Sequence, residues 1–231
     1  NGMYYSRDGS LSMDSTGMLV SSSTGMRIQG WTSGSGAAID PGMPIGDIAI
    51  PVDTSLARVT QNVLLGGNLN SGAVIGDSNY VTVGVYDSLG QLRSVTLDFQ
   101  RTGADTWSWT ATSGATGSGT ATFDANGQFT AGGGNITVAP LNGSDPATIA
   151  LDMDSITQLS TANSLSAISQ DGLEAGTLSG FKVLSNTGEI YGLYSNGLQQ
   201  LLGQLAVTKF VNPPGLVRVG QNLYQIGLNS G

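Results

Sequence analysis

The sequence predicts an all-β protein of two domains, the second inserted into the first, with little helix. Three observations predict it. Apolar and polar residues alternate with period two along most of the chain, Asp-Gly, Asn-Gly and Thr-Gly dipeptides break that alternation at short intervals, and no long stretch sustains a helical period. Residues 80–86 (Tyr-Val-Thr-Val-Gly-Val-Tyr) and 92–99 (Leu-Arg-Ser-Val-Thr-Leu-Asp-Phe) flank Asp87-Ser88-Leu89-Gly90 and read as a hairpin. A second hairpin is expected where 120–123 and 128–130 flank Asn126-Gly127, because both residues tolerate the positive φ of a type I′ turn. Strands near 181–185, 189–194 and 201–208 are punctuated by Asn186-Thr187-Gly188 and Ser195-Asn196-Gly197. Asp8-Gly9, Thr16-Gly17 and Thr24-Gly25 do the same near the start. Short helices are expected only around 55–59 and 156–159.

Residues 60–150 are rich in Gly, Thr, Ser and Ala, and 113–119 and 131–134 read as Gly-rich loops. All six Met and both Lys lie in the flanks. Pro41, Pro44 and Pro51 crowd one border of the middle region, and Pro140 and Pro146 the other. An inserted domain at 60–150 is therefore expected inside a domain made of 1–59 plus 151–231. With 231 residues, each part is large enough to bury a core.

Composition excludes whole classes of chemistry. With no His, the usual neutral-pH base and commonest metal ligand are missing; with no Cys, so are disulfides and thiolate sites. A Ser-His-Asp or Cys-His apparatus is impossible. Sixteen acidic residues against eight basic ones give a net charge of −8, which repels phosphate backbones and argues against nucleic acid. No apolar run approaches a membrane span, and the start, Asn1-Gly2-Met3-Tyr4, lacks both an initiator Met and a signal pattern, so the chain reads as an excised fragment.

Individual motifs have plain readings. Asp53-Thr54-Ser55 is similar to an aspartic-protease motif, but Ser replaces the Gly and no second copy exists. Asp152 and Asp154 share one face of a strand, yet no Asp-rich loop supplies the further oxygens that calcium needs. Asn135-Ile136-Thr137 and Asn142-Gly143-Ser144 match an N-glycosylation pattern that arises by chance in such a composition. Gly132–Gly134 has no strand-loop-helix context for a phosphate. No catalytic, cofactor or metal residues are assigned. Trp107 and Trp109, two apart on one strand, read as core; exposed together beside a groove they would instead mark a carbohydrate-binding module or adhesin. Trp31, after a turn, is a candidate interface residue. Asp87 and Gly90 read as a turn, and Gly172 and Gly176 as glycines held in positive-φ backbone beside Asp171.

Taken in order, these segments resemble a known family. Tyr5-Ser6-Arg7-Asp8-Gly9-Ser10-Leu11 with Gln29-Gly30-Trp31, and Asn212-Pro213 with Gly220-Gln221-Asn222-Leu223-Tyr224, are similar to the segments bordering the terminal helices of flagellar axial proteins. Val85-Tyr86-Asp87-Ser88-Leu89-Gly90 with Trp107, and Gln170-Asp171-Gly172-Leu173-Glu174-Ala175-Gly176, resemble the hook branch of that family more than its distal rod branch. The resemblance implies a structural subunit without cofactor, exported without a cleaved signal peptide. Such subunits polymerise into a flexible extracellular tube, the universal joint between rod and filament. Implied partners are further copies of itself, rod and hook-filament junction proteins, the hook cap and the export apparatus. The outer-sequence domain would lie in the middle layer of the tube wall and 60–150 in its outer layer. The family's long terminal helices are not in this sequence.

Overall fold

The computed structural model describes residues 2–34 and 36–231. Asn1, where the reading of the chain's start begins, and Ser35 lie outside the described residues. The chain is all-β: among the described residues the one element besides strands is a short 3₁₀ turn, Pro213–Gly215. It divides into unit 1, 1–55 plus 177–231, and unit 2, 56–176. The borders thus fall at 55/56 and 176/177, where sequence reading placed them at 59/60 and 150/151. Residues 151–176 go with the insert because their strands pair with its first long strand.

Unit 1 begins with β1 (Tyr5–Ser6), β2 (Leu11–Met13), β3 (Leu19–Ser21), β4 (Gln29–Thr32) and β5 (Gly46–Asp47). The chain leaves along β6 (Ser55–Arg58). Unit 2 contains β7 (Asn62–Asn68), β8 (Ser78–Tyr86), β9 (Leu92–Arg101), β10 (Thr106–Ser113), β11 (Ser118–Phe123), β12 (Phe129–Val138), β13 (Ala147–Thr157) and β14 (Ser166–Gln170). β15 (Leu173–Val183) returns to unit 1, which ends with β16 (Glu189–Tyr194), β17 (Gln199–Leu205), β18 (Val217–Gly220) and β19 (Leu223–Gln225).

In unit 2 the strand order is β14-β7-β13-β12-β11-β10-β9-β8, antiparallel except for the parallel pair β13/β7. The two outermost strands, β14 and β8, approach each other, so the sheet curls into a near-barrel and leaves little open edge. Alternation fills it. Along β13, Ala147, Ile149, Leu151 and Met153 point inward while Thr148, Ala150, Asp152 and Asp154 point out. Val83, Val95, Leu97, Phe99 and Ile136 complete the core with Trp107 and Trp109, both 0 % exposed. Trp107 Nε1 donates to Gln158 Oε1 at 3.2 Å. Glycine makes room for Trp109: a Cβ on Gly119 would lie 2.8 Å from its indole and one on Gly134 2.9 Å away. The run 131–134 is therefore part of β12, not the expected loop, because β12 must pass this close to an indole and to β11.

Unit 1 is built on β5-β4-β17-β16-β15, with small sheets β2-β3 and β1-β19-β18. Leu19, Ile48, Ile50, Ile190 and Leu202 form its core, flanked by Leu178 and Phe181.

Neither expected helix forms. Residues 55–58 are β6 and 156–157 end β13, where Ile156 is buried in the barrel and Thr157 pairs with Asn68. Runs this short cannot meet the cost of helix nucleation, so strand pairing wins.

Three of the hairpins share one turn design. In Asp14–Gly17, Asp87–Gly90 and Asp124–Gly127 the Asp Oδ1 accepts two backbone N–H groups, the Gly N–H donates to the Asp carbonyl, and the Gly φ is +83°, +76° and +74°. At 124–127 this replaces the expected type I′ turn: only Gly127 is left-handed, and Asp124 organises the loop. Asp14 and Asp124 gain acidity from it. The Thr16 hydroxyl, then two backbone N–H groups, hold Asp14 below its usual pKa, and the Gln128 N–H chiefly does so for Asp124.

Residues 56–176, expressed alone, should unfold in a single cooperative transition followed by tryptophan fluorescence, since both Trp107 and Trp109 are buried within this unit. A broad, non-cooperative melt would show that the unit is not self-sufficient.

Candidate functional site: a clamp at the base of the inserted unit

An inserted unit needs its two chain crossings held side by side. The two strands concerned, β6 and β15, are hydrogen-bonded neighbours. Immediately inside them, Gln170-Asp171-Gly172 meets 58–62. The Asp171 carboxylate accepts from Gln61 N–H (2.8 Å), Asn62 N–H (3.0 Å) and Asn62 Nδ2 (2.8 Å). Its own carbonyl accepts from Arg58 Nε at 2.6 Å. Gln170 Oε1 accepts from Gly172 N–H (2.5 Å) and from the Thr60 hydroxyl (3.0 Å). Thr60, 0 % exposed, carries the network onward: its N–H donates to Tyr86 O and its Oγ1 accepts from Tyr86 N–H at 2.8 Å. β7, β14 and the end of β8 are thereby tied together.

The turn after β8 closes the site. Asp87 Oδ1 caps Leu89 and Gln91, and Oδ2 faces Arg93 Nη1 at 3.8 Å, all but buried. Gly90 lies against both crossing strands: a Cβ there would sit 2.4 Å from Ala175 N and 2.9 Å from Ala57 Cβ. Only a residue without a side chain combines that approach with a φ of +76°.

Five of the six singled-out residues, Asp87, Gly90, Asp171, Gly172 and Gly176, thus belong to the crossing region or its adjoining turn. The sixth, Trp31, belongs to unit 1, half-buried, with Nε1 donating to Met43 O at 2.7 Å. The reason expected for the two signature glycines is corrected. Gly172 lies outside the left-handed region, and Gly176 lies in strand β15. What Gly172 supplies is space, since a Cβ would be 2.2 Å from Thr60 Oγ1. Sequence reasoning missed Arg58, Thr60 and Asn62. The available signal was a polar run, Arg58-Val59-Thr60-Gln61-Asn62, set between apolar strand patterns and lacking a turn residue such as Gly or Pro.

Burial works to raise the Asp171 pKa, but the Asn62 backbone and side-chain N–H groups and the Gln61 N–H outweigh it and hold the carboxyl below its reference 3.8. The arrangement braces a backbone. Among the described residues no group of three or more acidic side chains could hold a metal ion, and no helix is long and apolar enough to cross a membrane.

Fold and site together define an all-β protein, built as one unit inserted into another and braced where the chain crosses. Comparison with known proteins places it further. Residues 76–173, all within unit 2, match the family model described as flagellar basal body protein FlaE D2 domain. The chain is 31% identical to the flagellar hook protein FlgE of Salmonella typhimurium, over 99% of this chain and 62% of that one. It is 31% identical to that of Escherichia coli over the same shares, and 28% identical to that of Treponema pallidum over 99% and 63%. A crystal structure of Helicobacter pylori flagellar hook protein FlgE2 shares the fold, with TM-score 0.58 and 13% identity over 96% of this chain and 85% of that one. The chain spans about three-fifths of the length of these sequence relatives.

Asp171→Ala should destabilise unit 2 by about 1–3 kcal/mol, read from denaturant unfolding, because three N–H groups lose their acceptor. The sign with pH follows from the depressed pKa: the Asp171 contribution is fully present above pH 3.8 and is lost as pH falls through the lower folded-state value. The gap between wild type and Asp171→Ala should therefore close on acidification; a gap independent of pH would refute the charge-based clamp. Gly172→Ala should cost on the order of 1–3 kcal/mol through overlap with Thr60, and an unchanged midpoint would show that the site relaxes freely.

Proposed function

We propose that this chain is the central part of a structural subunit of the bacterial flagellar hook, outside the cell, where many copies form a flexible helical tube acting as a universal joint between rod and filament. The observation that carries this reading is likeness along 99% of the chain to proteins named as hook proteins. Unit 1 would occupy the middle layer of the tube wall and unit 2 the outer layer. Partners are further copies of the chain, rod and hook-filament junction proteins, the hook cap and the export apparatus. The chain has no catalytic role in this reading.

A tube that rotates while bent must lengthen on one side and shorten on the other in every turn. Contacts between outer domains must then slide at little cost while each domain keeps its shape. The outward positions of unit 2 suit this: Thr82, Thr110, Thr120, Thr130 and Thr148 are exposed hydroxyls that can exchange water-mediated contacts. Few charges, 10% of residues, limit electrostatic locking, and salt screens much of the −8. The adhesin or carbohydrate-module alternative rested on Trp107 and Trp109, which are wholly buried and offer no platform.

The relatives are longer, and we assign the drive for polymerisation to their additional segments, whose contacts make many weak lateral ones effective together. Residues 1–231 should sediment as a monomer at micromolar concentration. The same sequence joined to the remaining segments of the Salmonella protein should form tubes visible by electron microscopy and restore motility to a hook-deficient strain. Tubes from 1–231 alone would refute the assignment of the drive; a joined chain that never polymerises would count against the hook reading.

A further inference from the structure

Asn-Gly occurs four times, at 1–2, 126–127, 142–143 and 196–197, and Asn1 lies outside the described residues. An Asn-Gly pair can react with itself. The Gly backbone nitrogen attacks the Asn Cγ, a C–N bond forms, and the side-chain nitrogen leaves as ammonia with the proton lost from the Gly N–H. Water then opens the five-membered imide at either carbonyl, giving aspartate or isoaspartate. Glycine favours the step because no Cβ shields its nitrogen. The Gly nitrogen must be free and the Asn backbone able to turn.

Two of the three described pairs are locked. Gly127 N–H donates to Asp124 O at 2.9 Å, while Asn126 N–H donates to Asp124 Oδ1. Gly197 N–H donates to Tyr194 O at 2.9 Å, and Asn196 Oδ1 accepts from Leu198 N–H at 3.1 Å. At 142–143 nothing equivalent holds. Both residues are exposed, and neither the Gly143 N–H nor the Asn142 side chain makes a hydrogen bond among the described residues. The turn is pinned only from outside the pair, by Ser144 N–H on Leu141 O and Leu141 N–H on Ser144 Oγ, each 3.0 Å. Asn142 sits at φ +55°, a region sparsely populated by residues with a side chain, so leaving it gives up little.

We propose that Asn142-Gly143 is the principal site of spontaneous deamidation among the described Asn-Gly pairs, and that its isoaspartate product disturbs the turn against which the two crossing strands are seated. Isoaspartate routes the main chain through the former side chain and adds one carbon to the backbone. Three residues after Asn142, Asp145 N–H donates to Ser88 Oγ at 2.8 Å, inside the Asp87–Gly90 turn that places Gly90 against Ala57 and Ala175. A lengthened loop strains that bond. The proposal rests on this geometry and not on the hook reading.

The test uses the whole 231-residue protein, aged natively at mildly alkaline pH and, separately, in denaturant. Peptide mapping by mass spectrometry, with a separation that resolves aspartate from isoaspartate, reports each site. Asn142 should convert roughly five-fold or more faster than Asn126 and Asn196 in the native protein, since each of those must first release a hydrogen bond. In denaturant the three rates should converge. Equal native rates, or either other site leading, would overturn the site assignment. Hydrogen exchange at Asp145 should accelerate in the isoaspartate fraction but not in Asn142→Asp, which adds the charge without lengthening the chain. Unchanged exchange in the isoaspartate fraction would overturn the coupling to the turn.

Discussion

The rest of the structure depends on closing a loop of about 120 residues within a single domain. Holding the ends of so long a segment together costs about 4 kcal/mol of chain entropy before any strand pairs, although that cost grows slowly with length. The chain meets it where it crosses. β6 and β15 pair, the Asp171 carboxylate gathers Gln61 and Asn62, Gln170 bridges Gly172 and Thr60, and Gly90 lies against both strands. Each bond is worth little singly, but they share partners and must be broken together. The clamp is thus what allows a barrel-like unit to be carried in the middle of another domain's sequence.

Much of this was legible beforehand because period-two alternation reports which face of a strand is buried, and alternation here is clean. β8, β9 and β16 lie where the pattern puts them, and the two tryptophans are inward as their spacing implied. What escaped the sequence was decided by contacts distant along the chain. The glycines of 131–134 read as a loop by composition, yet they are a strand because β11 and the Trp109 indole leave room for nothing larger. Gly172 likewise carries no local sign that its neighbour is Thr60, more than a hundred residues earlier. The five clamp-region residues stood out through resemblance to a family, and their physical work became visible only when the crossing strands were side by side.

In the proposed function, the clamp and the exposed hydroxyl faces would divide the labour that a bending polymer requires. Rigidity within unit 2 would come from a curled sheet, two buried indoles and a braced base; compliance between copies would come from surfaces with little charge and many exposed hydroxyls. Neither property needs a catalytic group, and a chain without His or Cys supports both.

Native-state hydrogen exchange at single-residue resolution tests the central claim most directly. If the clamp closes the inserted unit, the amides of Gln61, Asn62 and Gly172 should exchange only through opening of unit 2 as a whole, with the same protection free energy as Leu97 in the middle of β9. Exchange of those three amides through fast local fraying, while Leu97 remains protected, would show that the crossing strands are not fastened there and would contradict the account.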